Sequence, residues 1–498
     1  MKRILVLTLI LSTVLSSCNW DDFGDLNVNP NASTMPKTSA LLTNAMLSTG
    51  GAITATSGAL YVQYLANKQY TSEDNYLTVN FATDALYSGP LADLDKIISL
   101  NTDEATKIAA ANDGSNANQI AIAKIMQSYF FLFMTNRWGD LPYSEALKGG
   151  SEGLLRPVFD SQQAIYDGCI QTLKDAVAMI DNGDPINGDI LLDGDMDRWA
   201  KFANTLRLIA ALRLSKVDPA KAATEFADAY GDGVIALDNS ENVRYNYLNS
   251  AVYENPYYNS FTTSGRKDWT IADPLMNLLQ LDTYTSPHSG AVGKMDIVED
   301  PRLAVYANPI ENTTDVYVGM PYGLTEAAAG SVPNSGVSFL GDAFRQQNSP
   351  AYIITSAQVA FCLAEGVLNT WITGDAQDFY EQGIQTSLDQ NGVGAGFATY
   401  ITNSEVAYNV ANAREQIATQ KWIALFPDGY EAWAEWRRTG FPILVPAANA
   451  KTESGEIPRR QGYSTGERDL NTDNYNAALS NQGLTVDDLD GRVWWDKP

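Results

Sequence analysis

The chain is poor in the residues that most enzymes and metal proteins lean on. It has one histidine, His288, among 498 residues. That leaves a single candidate for any histidine-dependent nucleophile and excludes a histidine-rich metal centre. His288 sits in Thr285-Ser286-Pro287-His288-Ser289-Gly290, which reads as an exposed turn. There is no phosphate-cradling P-loop. Basic residues are also scarce, 33 against 59 acidic ones. A field of that sign repels nucleic acid and anionic lipid. After residue 15 no apolar run is long enough to span a bilayer. Cysteine is rare as well, with three in the chain.

One of those cysteines defines the compartment. Lys2 and Arg3 precede an apolar run from Ile4 to Leu15, the length of a signal-peptide core. Leu15-Ser16-Ser17-Cys18 then has the pattern of a bacterial lipobox. The reading is acylation of Cys18, removal of residues 1–17, and a lipidated tether over 18–35. Several acyl chains, at about 0.8 kcal/mol per buried methylene, anchor such a chain durably. Without Lys2 and Arg3 the mature chain holds 31 basic and 59 acidic residues, a formal charge of −28. Asp21 and Asp22, just behind Cys18, resemble the surface-export signal of outer-membrane lipoproteins, which points to the cell exterior. Cys169 and Cys362 fall in amphipathic stretches and read as two buried free thiols in preference to a disulfide.

Helical periodicity dominates the rest. The spacing predicts helices over Ala117–Arg137, Ser161–Ile180, Arg198–Lys216 (with Asp197 as N-cap), Pro350–Trp371, Ala376–Gln390, Arg414–Phe426 and Gly429–Arg438. Between 236 and 349 periodicity is lost and Gly, Pro, Asn and Ser accumulate. The organisation is therefore a helical region over 36–235, a loop-rich insert over 236–349 that faces ligand, and a helical region with a polar tail over 350–498. Paired helices stacked in series make a solenoid whose loops gather on one face. The fold class is mostly α, of helix pairs carrying a long irregular insert.

Several stretches, in order, resemble the SusD/RagB family of nutrient-binding outer-membrane lipoproteins. They include Asp25-Leu26-Asn27-Val28-Asn29-Pro30-Asn31, Trp138-Gly139-Asp140-Leu141-Pro142-Tyr143 and Trp199-Ala200-Lys201-Phe202-Ala203-Asn204. Further on come Asp300-Pro301-Arg302-Leu303, Leu363-Ala364-Glu365, Asp428-Gly429-Tyr430-Glu431-Ala432-Trp433 and Pro458-Arg459-Arg460. The resemblance implies four tetratricopeptide-like helix pairs, no catalytic residue and no cofactor. It also implies a SusC-like TonB-dependent transporter as partner, with an oligosaccharide, or alternatively a peptide, as ligand. A structural lipoprotein without ligand is the remaining alternative. The quoted motifs read as scaffold and do not identify the ligand.

Aromatics carry the ligand reading, because a sugar ring offers C–H faces to an aromatic face and hydroxyls to amides and carboxylates. Loop clusters with both are Gln69 to Tyr76, Arg266 to Trp269, and Met320 to Tyr322. The ligand-binding candidates are Tyr70, Asn75, Tyr76, Arg266, Trp269 and Tyr322. Trp138, Trp199, Trp422, Trp433 and Trp436 read as core, and Trp494-Trp495 as an anchor for the tail. Asp193-Gly194-Asp195-Met196-Asp197 alternates acids as a calcium loop does. It lacks the following glycine and the glutamate at position twelve, where Arg198 and Asn204 stand. No metal is therefore expected, and the acids suit a helix N-terminus.

Overall fold

The computed structural model describes residues 35–281 and 299–498. Cys18 and His288 lie outside the described residues. The helices of ten residues or more are α1 Thr38–Ile53, α2 Ala92–Thr102, α3 Asn116–Trp138, α4 Gln162–Met179, α5 Met196–Arg213, α6 Pro219–Asp232, α7 Ser356–Leu368, α8 Ala376–Gln390, α9 Ala413–Ala424, α10 Gly429–Thr439 and α11 Thr472–Asn481. Most begin on a side chain that accepts a first-turn N–H. Ser115, Ser161, Asp195, Asp218, Thr355, Asp375 and Asp428 do this for α3, α4, α5, α6, α7, α8 and α10. Pro219 opens α6, where its missing N–H costs nothing. Gly440 ends α10 in the left-handed region, at φ 82°.

Two predicted helix starts differ. The N-cap of α5 is Asp195, not Asp197, and its carboxylate accepts the Arg198 N–H at 3.1 Å. Asp197 falls in the first turn, where its charge meets the helix dipole. The neighbouring Asp189 accepts N–H groups from Leu191, Leu192 and Gly194 and the Trp199 indole. The second difference is at Pro350, where no helix starts. Ala351–Ile354 is a strand, β4, paired antiparallel with β2, Val243–Tyr245. Two consecutive isoleucines suit an extended backbone, and Thr355 supplies the cap only after them.

The helices pack as the pairs α3/α4, α5/α6, α7/α8 and α9/α10, with α2 laid against α3 and α1 against α2. This is the helix-pair solenoid expected. Thr38–Pro498 forms one unit with three apolar cores. The largest lies among α1 to α6 and takes in Trp138, Trp199 and Trp495. The second joins α9 and α10 to a short helix, Thr56–Tyr61, and to the insert, which contributes Ile271, Leu275, Leu303, Tyr306 and Leu340. The insert is thus irregular in backbone yet apolar in its inward side chains. The third lies between α7, α8 and α9. Among the described residues no helix is long and apolar enough to cross a membrane.

Charged residues of the quoted motifs are buried in the scaffold. Arg302 and Asp300 pair at 2.6 Å with both side chains inaccessible. Arg302 also donates to Ser387 and Gln420, tying the insert to α8 and α9. Glu365 of α7 receives Arg438 of α10 at 2.8 Å. Trp436 is half-buried, while Trp422 and Trp433 are buried as expected. Cys169 and Cys362 are buried free thiols.

Candidate ligand-binding site

A two-stranded sheet brings two of the three aromatic loop clusters together. β1, Leu65–Asn67, pairs antiparallel with β3, Trp269–Ile271, in the register Leu65↔Ile271 and Asn67↔Trp269. The loops leaving these strands, 68–76 and 264–268, therefore emerge side by side. The Lys68 N–H donates to the Asp268 carbonyl at 2.8 Å and holds them there.

Asn67 shapes the first loop. Its side-chain oxygen accepts the N–H groups of Gln69 and Tyr70 at 2.9 and 2.7 Å, an Asx turn. The Asn67 N–H in turn donates to both carboxylate oxygens of Asp74, at 2.9 and 3.0 Å. Burial pushes the Asp74 carboxyl well above the usual carboxylate range, against the lowering effect of that N–H. These contacts leave the Tyr70 ring 49% exposed. The Arg266 guanidinium lies over it, 5.1 Å from the ring centroid. Arg266 Nε donates to Asp268 at 2.7 Å, and that hydrogen bond and charge raise the guanidinium pKa.

The result is an open cleft of about 410 Å³, lined chiefly by Lys68, Gln69, Tyr70, Arg266, Asp268 and Asn334. It combines an accessible aromatic ring, two side-chain amides, cationic donors and one carboxylate. Convergent polar groups around an apolar surface are what a small-molecule site requires. A cleft of about 480 Å³ between Leu278, Asn409, Gln416 and Ile443 has no exposed aromatic ring, because Tyr380 in its wall is buried.

The six candidate residues separate into three groups. Tyr70 and Arg266 line the cleft. Trp269 stands beside it, half-buried against the second core. Asn75, Tyr76 and Tyr322 are buried, at 3%, 1% and 1% exposure, and have no face to offer a ligand. Asn75 donates to the carbonyls of Thr71 and Leu324 at 2.7 and 2.9 Å. The Tyr76 hydroxyl accepts the Ala447 N–H, and the Tyr322 hydroxyl donates to the Leu60 carbonyl at 2.7 Å. They brace the loop from behind. Their polar neighbours made them look exposed, but each hydroxyl or amide finds a partner inside the protein. Sequence reasoning passed over Lys68 and Asn334. Lys68 directly precedes the Gln69 cluster and was within reach. Asn334 is remote in sequence, and only folding brings it to residue 70.

The SusD-like family model, described as starch-binding and associating with the outer membrane, matches residues 30–464. None of the curated proteins matches the chain. Among solved structures, a chitin-binding protein is 26% identical over 93% of this chain and 100% of its own, with a TM-score of 0.74. A chitin-binding SusD homolog from Flavobacterium johnsoniae is 25% identical over 92% of this chain and 98% of its own, with a TM-score of 0.72. A SusD homolog from Bacteroides fragilis shares the fold, with a TM-score of 0.77 at 22% identity over 93% of this chain and 100% of its own. Helix pairs, buried motif charges and a match over most of the length converge, and the chain belongs to the SusD-like family.

Proposed function

We propose that this protein is a surface-exposed lipoprotein, anchored through acylated Cys18, that captures oligosaccharide at the Tyr70 cleft and is not an enzyme. It passes the ligand to a SusC-like TonB-dependent transporter in the outer membrane. The observation that carries the reading is the half-exposed Tyr70 ring held among Gln69, Arg266, Asp268 and Asn334 in an open cleft. A pyranose stacks its C–H face on such a ring while its hydroxyls meet amides and carboxylate. Support also comes from family membership and from the chitin-binding proteins of similar structure. Titration calorimetry of residues 19–498 with chito- and malto-oligosaccharides tests it. Tyr70→Ala should weaken binding by tenfold or more, roughly 1.4 kcal/mol, with an unchanged melting temperature. Release of cleaved sugar during the titration would overturn the non-enzymatic reading.

A further inference from the structure

The charge balance of the chain is reversed at the cleft. Across the protein 59 acidic residues face 33 basic ones. Around the cleft, Lys68, Arg266 and Lys267 face one lining carboxylate, Asp268, and that carboxylate is buried and occupied by Arg266. The two other acids of the loop do not restore the balance. Asp74 is buried behind the loop, and with the exposed Glu73 counted the three cations still face two carboxylates.

Elsewhere Lys107, Lys148, Lys174, Lys201, Lys221 and Lys421 form ion pairs, whereas Lys37, Lys96 and Lys124 form none among the described residues. Neither Lys68 nor Lys267 forms one among those residues. Lys451, whose N–H donates to the Asn75 carbonyl at the far end of the same loop, is exposed and likewise has no ion pair among them. The fold has concentrated uncompensated positive charge around the one exposed ring of the cleft.

We propose that the cleft selects glycans carrying anionic groups, either uronate carboxylates or sulfate esters. Lys68 and Lys267 take the anion and Tyr70 takes the ring. The inference rests on the reading of this cleft as a glycan site. Lysine ammonium groups are point charges on flexible stems, so they meet carboxylate and sulfate without demanding one orientation. Charge-assisted hydrogen bonds are about twice as strong as neutral ones. The acidic body repels such a ligand at a distance, but salt screens that repulsion beyond about 8 Å, so the local lysines prevail at contact.

The test uses residues 19–498 and three probes of equal length: an oligogalacturonate, a sulfated oligosaccharide and a neutral chito-oligosaccharide. At about 0.15 M salt at least one acidic probe should bind about tenfold more tightly than the neutral one, and about 1 M salt should erase the difference. The two acidic arms separate carboxylate from sulfate. Lys68→Gln with Lys267→Gln should remove the preference, costing the acidic probes about tenfold more affinity than the neutral one. Neutral binding as tight as acidic, with the lysine variant indifferent and Tyr70→Ala still damaging, would overturn the anion selectivity and leave the glycan cleft standing. Binding that ignores Tyr70→Ala, or no binding by any probe, would overturn the cleft itself. An oligoglutamate peptide binding more tightly than every glycan would overturn the glycan assignment.

Discussion

Asp273 opens the short helix Asp273–Leu279 and is buried with one carboxylate oxygen unpartnered. Burial pushes its carboxyl up to about 8, against the lowering effect of the Tyr322 N–H that donates to it. A carboxyl with a raised pKa in the folded state binds more protons there than in the unfolded chain. Its contribution to stability therefore falls as pH rises from about 4 through about 8. Asp273→Asn should flatten that fall, and the variant should gain melting temperature relative to the parent between pH 5 and pH 9. A parallel pH profile for both proteins would contradict it. The cysteines make a second case. Burial raises the thiols of Cys169 to about 12 and Cys362 to about 11. A chain of residues 19–498 should show no reaction with a disulfide reagent when native and two reactive thiols when denatured. At this scale the sequence was least legible. Tyr70 and Tyr76 sit six residues apart in one polar stretch, yet one is half-exposed and the other buried.

Elements were easier to read, because their signals are local. Ser161, Asp428 and Gly440 sit where a cap is needed, and α4, α8 and α10 match expectation within a residue. Pro350 misled because a strand and a cap lie between the proline and α7. Helices α1, α2, α6 and α11 were not anticipated. α1 has small, mostly apolar residues all round, without a polar face to set its period. Where elements cross, side-chain size decides. A Cβ on Gly429, at the start of α10, would lie 1.9 Å from the Ala59 backbone nitrogen, and Gly58 faces the Tyr430 backbone across the same contact. Gly429→Ala should therefore cost at least 1–3 kcal/mol, about the usual overpacking penalty, since neither backbone can step aside. Urea denaturation measures this, and a change below about 0.5 kcal/mol would show that the crossing relaxes.

Across the whole molecule, one buried ionic cluster ties four helices together. Arg213 of α5 reaches Glu431 and Glu435 of α10 at 2.7 and 3.0 Å. Lys421 of α9 reaches Glu435 at 2.6 Å, and Arg438 joins Glu435 to Glu365 of α7. Three cations thus meet three carboxylates. Burial alone would raise the Glu435 carboxyl, but Arg438, Lys421 and Arg213 overcome it and hold it well below the usual range. Its stabilisation is present above the unfolded carboxylate pKa and is lost as pH falls through the depressed folded value. Glu435→Ala leaves buried positive charge uncompensated and should cost about 3–5 kcal/mol in unfolding free energy at neutral pH.

By itself the sequence determined most helix boundaries, the pairing of helices into a solenoid, and membership of the SusD-like family. These follow from short-range rules of periodicity, capping and ordered motifs. Only the tertiary structure decided where a ligand has room. Whether an aromatic ring is floor or platform depends on what lies against its faces, and those neighbours come from far along the chain: Ala447 against Tyr76, Leu60 against Tyr322, Asn334 beside Tyr70. Exposure of a ring is a property of long-range packing, which no local pattern of residues encodes.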